Sequence, residues 1–376
     1  MRIAINTRLL LKNRLEGIGW FTHESLSRIT RNHPEHDFFF LFDRKYDDSF
    51  IYSDNIYPVV VSPQSRHPFL WYLWFEKSIP KVLDAIDAEL FISPDNYFSL
   101  KTKVPGLVVI HDINFYHDPK NIPFLARKFY NHYVPLYAKA AKRIATVSNF
   151  SKNDIASSYQ ISKHKIDVLY NGASDLYRPL DEAAKTKIKR TLSGGEDYFL
   201  FVGALNPRKN VHRLFMAFDE FRKEFSSNIK LVIVGEKMYW SNEIKKSYEK
   251  MRFKDQVIFT GRQNQSSLKD IVGASLGLTL VSTYEGFGIP VVEAMYSETA
   301  VLVSNVTALP EVAGEATIYA DPFSISSIKD GLLQLAKDKN LRNKLIVLGK
   351  EQRKKFTWDK TSQHFWDSIE KCFPIS

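Results

Sequence analysis

The chain carries a single cysteine in 376 residues, Cys372. One thiol excludes an internal disulfide framework and fits a reducing, cytoplasmic setting. Long apolar runs are missing as well, since none approaches the ~18 to 20 residues that a membrane-spanning helix needs. Residues 1–8 read as a first strand and not as a signal peptide, because no apolar core and small-residue cleavage site follow. There is no low-complexity segment and no short solenoid repeat. No two histidines stand four apart with a carboxylate between them, so a zinc-protease helix is excluded. Acidic residues are the poorer partner in the charge balance: 52 Lys and Arg face 42 Asp and Glu, a net +10. Zinc-finger spacing, a single-strand-binding aromatic signature and a long polybasic run are all lacking, so nucleic acid is not the expected partner.

What is there is an ordinary globular composition, 44% apolar, on a chain too long for one core and suited to two domains. Short apolar runs alternate with amphipathic stretches. Strands are expected at 3–6, 38–42, 59–61, 90–92, 107–110 and 143–147. The pattern then repeats at 198–202, 230–234, 257–260, 276–281, 300–304 and 317–319. Several runs are continuous and not alternating, as in strands covered on both faces by helices. Residues 210–225 and 267–272 have helical spacing. Strand-helix alternation in two blocks predicts an α/β protein with two doubly wound, Rossmann-like parallel sheets. Gly and Pro punctuate residues 171–179, which places the junction there. The expected domains are 1–174 and 175–357.

The most telling stretch is Ser282-Thr283-Tyr284-Glu285-Gly286-Phe287-Gly288-Ile289-Pro290-Val291-Val292-Glu293. An apolar strand at 274–281 runs into a glycine-rich turn, and a helix is expected to open at Pro290. Gly286 and Gly288 permit torsions and close approaches that a β-carbon would block. The free N–H groups of the helix start suit an anion, most naturally a phosphate. Glu285 and Glu293, with seven residues between them, cannot serve that anion and should address hydroxyls nearby. Hydroxyls beside a phosphate describe a sugar nucleotide.

Glu285 to Glu293 resembles the Glu-x7-Glu signature of retaining glycosyltransferases of group 1 (family 4), which have the GT-B fold. Residues 201–210, residues 309–315 and the Gly17-Ile18-Gly19 turn are similar to the family's other blocks, in the same order. The resemblance implies two Rossmann-like domains facing a central cleft, with a last helix at about 358–376 crossing back to complete the acceptor-side first domain. It also implies that Glu285 lies near the donor sugar, that Glu293 holds the ribose hydroxyls, and that Gly286, Phe287, Gly288 and Ile289 cradle the diphosphate.

Arg208 and Lys209 stand in the turn after the first strand of the second block, where two cations would neutralise a departing nucleoside diphosphate. The family often has an arginine directly after the block's glycine; here Ala204 follows Gly203. Gly17, Ile18 and Gly19 follow the first strand and precede a helix expected near Trp20, so their backbone N–H groups could meet a phosphate or a sugar ring. His111, with Asp112, ends a strand of the first block and resembles the family's His-Asp segment, whose histidine approaches the reacting region of the sugar. Ser148 to Ser151 is explained by helix capping.

No Asp-x-Asp ends a strand, so no metal is expected, and no cofactor beyond the donor itself. The expected activity is retaining transfer of a hexose, mannose favoured, from a nucleotide sugar such as GDP-mannose. The expected acceptor is an oligosaccharide or lipid-linked glycan in surface polysaccharide synthesis. A diphosphate donor and an anionic membrane face would both use the net positive charge. The aromatic stretch 69–81, with Trp71, Trp74 and Phe75 on one helical face, is either core or a membrane contact, and residues 124–137 could join it. The rival functional reading is a non-catalytic protein of this fold that tethers to glycan or membrane.

Overall fold

The computed structural model describes residues 1–119, 122–236 and 240–373. They form two compact units, one of residues 1–171 with the segment from Trp358 onward and the other of residues 172–357.

The first unit is built on a seven-stranded sheet. Its strands are β1 (Arg2–Asn6), β2 (Asp37–Phe42), β3 (Ile56–Val60), β4 (Leu90–Ser93), β5 (Gly106–Val109), β6 (Arg143–Thr146) and β7 (Ile166–Val168). They lie in the order β3-β2-β1-β4-β5-β6-β7, every neighbouring pair parallel. The central strands β4 and β5 are buried on both faces, which is why they read as continuous apolar runs. Ile3 and Ile5 of β1 join Phe21, Leu26, Trp358, Phe365 and Ile369 on one side, from the helices Gly17–Asn32 and Trp358–Glu370. Ala4 faces the other side, where Trp74, Ile79, Phe129 and Tyr137 close the layer. Sequence reading missed β7, whose three residues bury one apolar side chain, Ile166.

The second unit has a six-stranded parallel sheet: β8 (Tyr198–Val202), β9 (Lys230–Val234), β10 (Val257–Gly261), β11 (Gly277–Leu280), β12 (Val301–Ser304) and β13 (Ile318–Ala320). The order is β10-β9-β8-β11-β12-β13. Helices start where side chains can take orphan N–H groups: Asp181, Ser241, Asn264 and Ser324 each accept one from the third residue on. In each sheet the chain direction of build-up reverses once, between β1 and β4 in the first unit and between β8 and β11 in the second. Ligands of open α/β sheets bind outside the carboxyl ends of the strands at such a reversal.

One sequence expectation is corrected and one open alternative is narrowed. Gly17-Ile18-Gly19 is no loop before a helix; it is the first turn of the helix Gly17–Asn32. A β-carbon at Gly19 would sit tightly, 3.1 Å from both the Leu9 carbonyl oxygen and the Leu15 side chain. The aromatic stretch is core for the most part. Trp74 and Phe75 are fully buried, and Trp74 Nε1 donates to the Val61 carbonyl at 2.9 Å. Both rings join the core cluster that Trp71 packs against, on the π-helical turn Trp74–Ser78. Phe69, Phe124 and Leu125 stay on the surface, at 64, 56 and 54% exposure.

Candidate functional site

In the second unit the loops after β8 and β11 are laced together. Thr283 N donates to the Arg208 carbonyl at 2.9 Å, and Arg208 Nη1 donates to the Tyr284 carbonyl at 2.7 Å. Asn210, fully buried in a left-handed conformation (φ 57°), donates from Nδ2 to the carbonyls of Val281 and Pro322 at 2.8 and 2.7 Å. Gly203, at φ 149°, leaves room for the Lys209 stem, whose Cε would lie 3.4 Å from a β-carbon there.

These contacts bring three predicted residues to one point. Glu285 Oε1 accepts from Lys209 Nζ at 2.6 Å and Oε2 from Arg208 Nη1 at 2.7 Å. Ser282 Oγ adds a third bond to Oε1 at 2.6 Å. Burial by itself would push the Glu285 carboxyl up, but Lys209 and Arg208 outweigh it and hold it down to about 2. Both cations remain partly open, with 13 and 23% of the Lys209 and Arg208 side chains exposed. Glu285 is therefore a charged anchor for two cations at the reversal point of the sheet.

The turn that follows does what its glycines and proline suggest. The helix is Ile289–Tyr296, one residue earlier than expected, with Pro290 in its first turn. Gly288 caps it at φ 105°, and a β-carbon there would also meet Leu309 at 2.7 Å. Phe287 turns its ring into the core, edge-on to Phe356 at 5.5 Å, so only its backbone can face a ligand. Glu293 lies in the second turn, apart from the cation cluster. Burial pushes its carboxyl up to about 7. The Tyr177 hydroxyl lies beside it and draws it back only part of the way, and makes no regular hydrogen bond among the described residues. Glu293 thus stands ready to gain partners, whereas both oxygens of Glu285 are already taken.

In the first unit His111 follows β5. Its Nε2 donates to the Pro94 carbonyl at 2.9 Å, which leaves Nδ1 as an acceptor. Burial lowers its proton affinity, so it is neutral near pH 7. Phe21, from the helix that Gly17 opens, meets the His111 ring edge-on at 4.9 Å. The structure thus joins Arg208, Lys209 and Glu285 in one cluster, and His111 with the Gly17–Asn32 helix in another. Sequence reading missed Ser282, Asn210 and Tyr177. Ser282, three residues before Glu285, could have been found as a hydroxyl within reach of the carboxylate; Tyr177 could not, because its partner is 116 residues away.

Two parallel sheets with helices on both faces, and a cation cluster with a glycine-capped helix at one reversal point, define a protein of the GT-B class. Sequence models agree across both units: that of "Glycosyl transferases group 1" matches residues 183–352, and that of "Glycosyltransferase Family 4" matches residues 16–175. The chain belongs to this glycosyltransferase family. It is 27% identical over 255 residues to O-antigen chain mannosyltransferase B of Escherichia coli, covering 68% of this chain and 67% of that protein. It is also 27% identical over 269 residues to O-antigen chain mannosyltransferase RfbU of Salmonella typhimurium, covering 70 and 71%. Among solved structures, WaaG, a glycosyltransferase involved in lipopolysaccharide biosynthesis, superposes with TM-score 0.75 at 16% identity over 98% of this chain and 99% of that one. A glycosyltransferase from Rickettsia africae gives 0.74 at 15% over 100 and 99%.

Proposed function

We propose that this glycosyltransferase moves mannose from GDP-mannose to a glycan or lipid-linked glycan acceptor, with retention at the anomeric carbon, in the synthesis of a surface polysaccharide. The observation that carries the reading is the Lys209–Glu285–Arg208 cluster beside a helix start: two cations and oriented N–H groups are what a departing diphosphate requires. Mannose is favoured because the similar O-antigen enzymes are mannosyltransferases.

In this reading the diphosphate draws Arg208 and Lys209 partly off Glu285, and the N–H groups from Gly288 to the helix Ile289–Tyr296 take further phosphate oxygens. Glu285 keeps the cations placed and lies near the sugar. Glu293 accepts hydrogen bonds from the ribose hydroxyls, which favours its charged form. In the first unit, His111 Nδ1 can accept from a sugar hydroxyl, and the first turn of the Gly17–Asn32 helix, through Gly17, Ile18 and Gly19, offers N–H groups. With no covalent nucleophile assigned, the acceptor hydroxyl attacks from the side the diphosphate leaves, and a diphosphate oxygen takes its proton. Positioning and charge stabilisation then supply most of the rate. Two cations and a helix terminus can carry the phosphate charge, so turnover should need no metal. The site of work is the cytoplasmic membrane face, reached through Phe69, Phe124 and Leu125. These exposed side chains sit on helices that pack together, with Lys128 Nζ 4.6 Å from the Phe124 ring.

The test is a panel of nucleotide sugars with purified protein in EDTA, following binding by calorimetry and slow donor hydrolysis by released nucleotide. Micromolar binding and hydrolysis of GDP-mannose alone supports the reading. Binding of no nucleotide sugar would sink it and leave a non-catalytic tether.

A further inference from the structure

The loop after β12 bears on the turn that carries Glu285, and the reaction above makes no use of it. Among the described residues seven besides glycine have a positive φ, and Thr307, at 60°, is the only one of them branched at Cβ. A β-branched residue in that region is an outlier, and its strain persists only where the surroundings hold it. Thr307 is half-buried, so filling the core does not account for the torsion. Its hydroxyl does. Thr307 Oγ1 donates to the Val306 carbonyl at 2.7 Å and accepts from the Glu285 N–H at 3.1 Å. Ala308 N donates to the Glu285 carbonyl at 3.3 Å. Ser304 Oγ, at the end of β12, donates to the Ser282 carbonyl at 2.6 Å. Leu309 packs so closely under Gly288 that a β-carbon there would lie 2.7 Å from its Cδ2. Residues 304–309 therefore run alongside 282–288 and brace that segment from end to end.

The consequence falls on one peptide unit. The Tyr284 carbonyl accepts from Arg208 Nη1 at 2.7 Å, and the N–H of the same peptide, that of Glu285, donates to Thr307 Oγ1. A trans peptide is planar, with carbonyl and N–H pointing to opposite sides, so fixing one end fixes the other. Arg208 Nη1 also donates to Glu285 Oε2 at 2.7 Å. One guanidinium nitrogen thus takes its place from both the tilt of this peptide and the carboxylate beyond it. The Thr307 hydroxyl sets that tilt from the far side without touching Arg208's guanidinium.

We propose that Thr307 is a positioning residue for the transfer: its hydroxyl locks the Tyr284–Glu285 peptide and through it aims Arg208 at the departing diphosphate. Groups that stabilise charge in a transition state must be held to a fraction of an ångström, and a loosely held loop loses that precision. The strained torsion is what places the hydroxyl over the peptide. The role in transfer rests on the transferase reading above, whereas the clasp on the peptide belongs to the chain alone, so the two can fail separately.

The experiment compares wild type with Thr307→Ser, Thr307→Ala and Thr307→Gly. Serine keeps the hydroxyl, alanine keeps only the β-carbon, and glycine also relieves the torsion. The first readout needs no substrate: amide exchange of residues 282–288, followed by mass spectrometry. It should match wild type in Thr307→Ser and run several-fold faster in Thr307→Ala and Thr307→Gly. The second is hydrolysis of whichever of GDP-mannose, UDP-glucose and UDP-galactose wild type turns over fastest. Its kcat should fall about five- to tenfold in Thr307→Ala and Thr307→Gly, the scale of one net hydrogen bond, and stay within about twofold in Thr307→Ser. Donor KM should move less than about twofold, because the contact tells on the leaving charge. The melting temperature of Thr307→Gly should be no lower than that of wild type, since relief of the torsion offsets the looser unfolded chain. Should Thr307→Ala fail to fold, Thr307→Gly decides. Unchanged exchange in both overturns the clasp. Faster exchange with an unchanged kcat overturns the role in transfer, as does a serine variant as slow as glycine. Wild type that hydrolyses no donor sinks the function above together with that role, while exchange still decides the clasp.

Discussion

The two sheets place a basic residue after their first strand and a carboxylate after the strand across the reversal point, yet the pairs are built for different work. In the first unit Arg8 is buried against the stacked rings of Tyr97 and Phe75, and one carboxylate, Asp95, meets one guanidinium. In the second, one carboxylate meets two cations whose side chains stay partly open. An excess of positive charge near the surface can be handed to an anionic ligand at little cost. A matched and buried pair cannot be parted so, because an uncompensated buried charge costs several kcal/mol. The same topological position thus holds a partly open cation cluster in one unit and a matched, buried ion pair in the other.

The largest effect that would break this comparison is on the open pair. Lys209→Ala should lower both donor hydrolysis and transfer by about 10² to 10³-fold, the usual loss for one transition-state charge partner. Released nucleotide measured with and without acceptor checks it; a loss confined to transfer would show that Lys209 serves the acceptor. Glu285→Gln comes next. Turnover should fall by about 10²-fold while GDP binds as well or better, since the cations no longer have a charged competitor. Calorimetry with GDP reads this directly, and weaker GDP binding would mean that Glu285 organises the phosphate site more than it competes there.

Glu293 sharpens the contrast through pH. Its folded-state carboxyl is raised to about 7 by burial. Its contribution is therefore intact below the unfolded-state value near 4.5 and is lost as pH rises through 7. Glu293→Gln should leave the melting temperature near pH 5 unchanged and raise it by a few degrees, roughly 1 to 3 kcal/mol, at pH 8. Wild-type affinity for GDP should rise several-fold between pH 6 and 8, and Gln should flatten that slope. Glu285 runs the other way: held down to about 2, it stabilises above about pH 4.5, and that contribution fades only as pH falls toward 2. The smallest effect is at the surface. Phe124→Ser with Leu125→Ser should weaken sedimentation with phosphatidylglycerol vesicles a few-fold and leave turnover on a soluble acceptor unchanged. Equal sedimentation of variant and wild type would remove the membrane contact from the proposed function.

Much of this was legible in the chain. Among the described residues, twelve of the thirteen strands show as apolar runs, the central ones because strands dry on both faces must be continuously apolar. The turn at 285–293 shows through glycine and proline, whose backbone demands are local. Arg208, Lys209 and Glu285 could each be nominated from their place beside a strand end. Their pairing could not, and nor could the Arg8–Asp95 network, because Arg8 looks like any basic residue after a strand until Asp95, 87 residues on, closes over it. Periodicity put Trp71, Trp74 and Phe75 on one face, but whether that face meets core or membrane was left open until the fold buried Trp74 and Phe75.

Sequence alone determined the alternation of strands and helices, the two-part build and the glycine-rich turn that opens the helix Ile289–Tyr296, since all three follow from local patterning and backbone chemistry. Tertiary structure decided which charges meet, which are shielded from water and which polar atoms are left unmatched. Coulomb energy and desolvation depend on distance and surroundings, and neither is a property of neighbours along the chain.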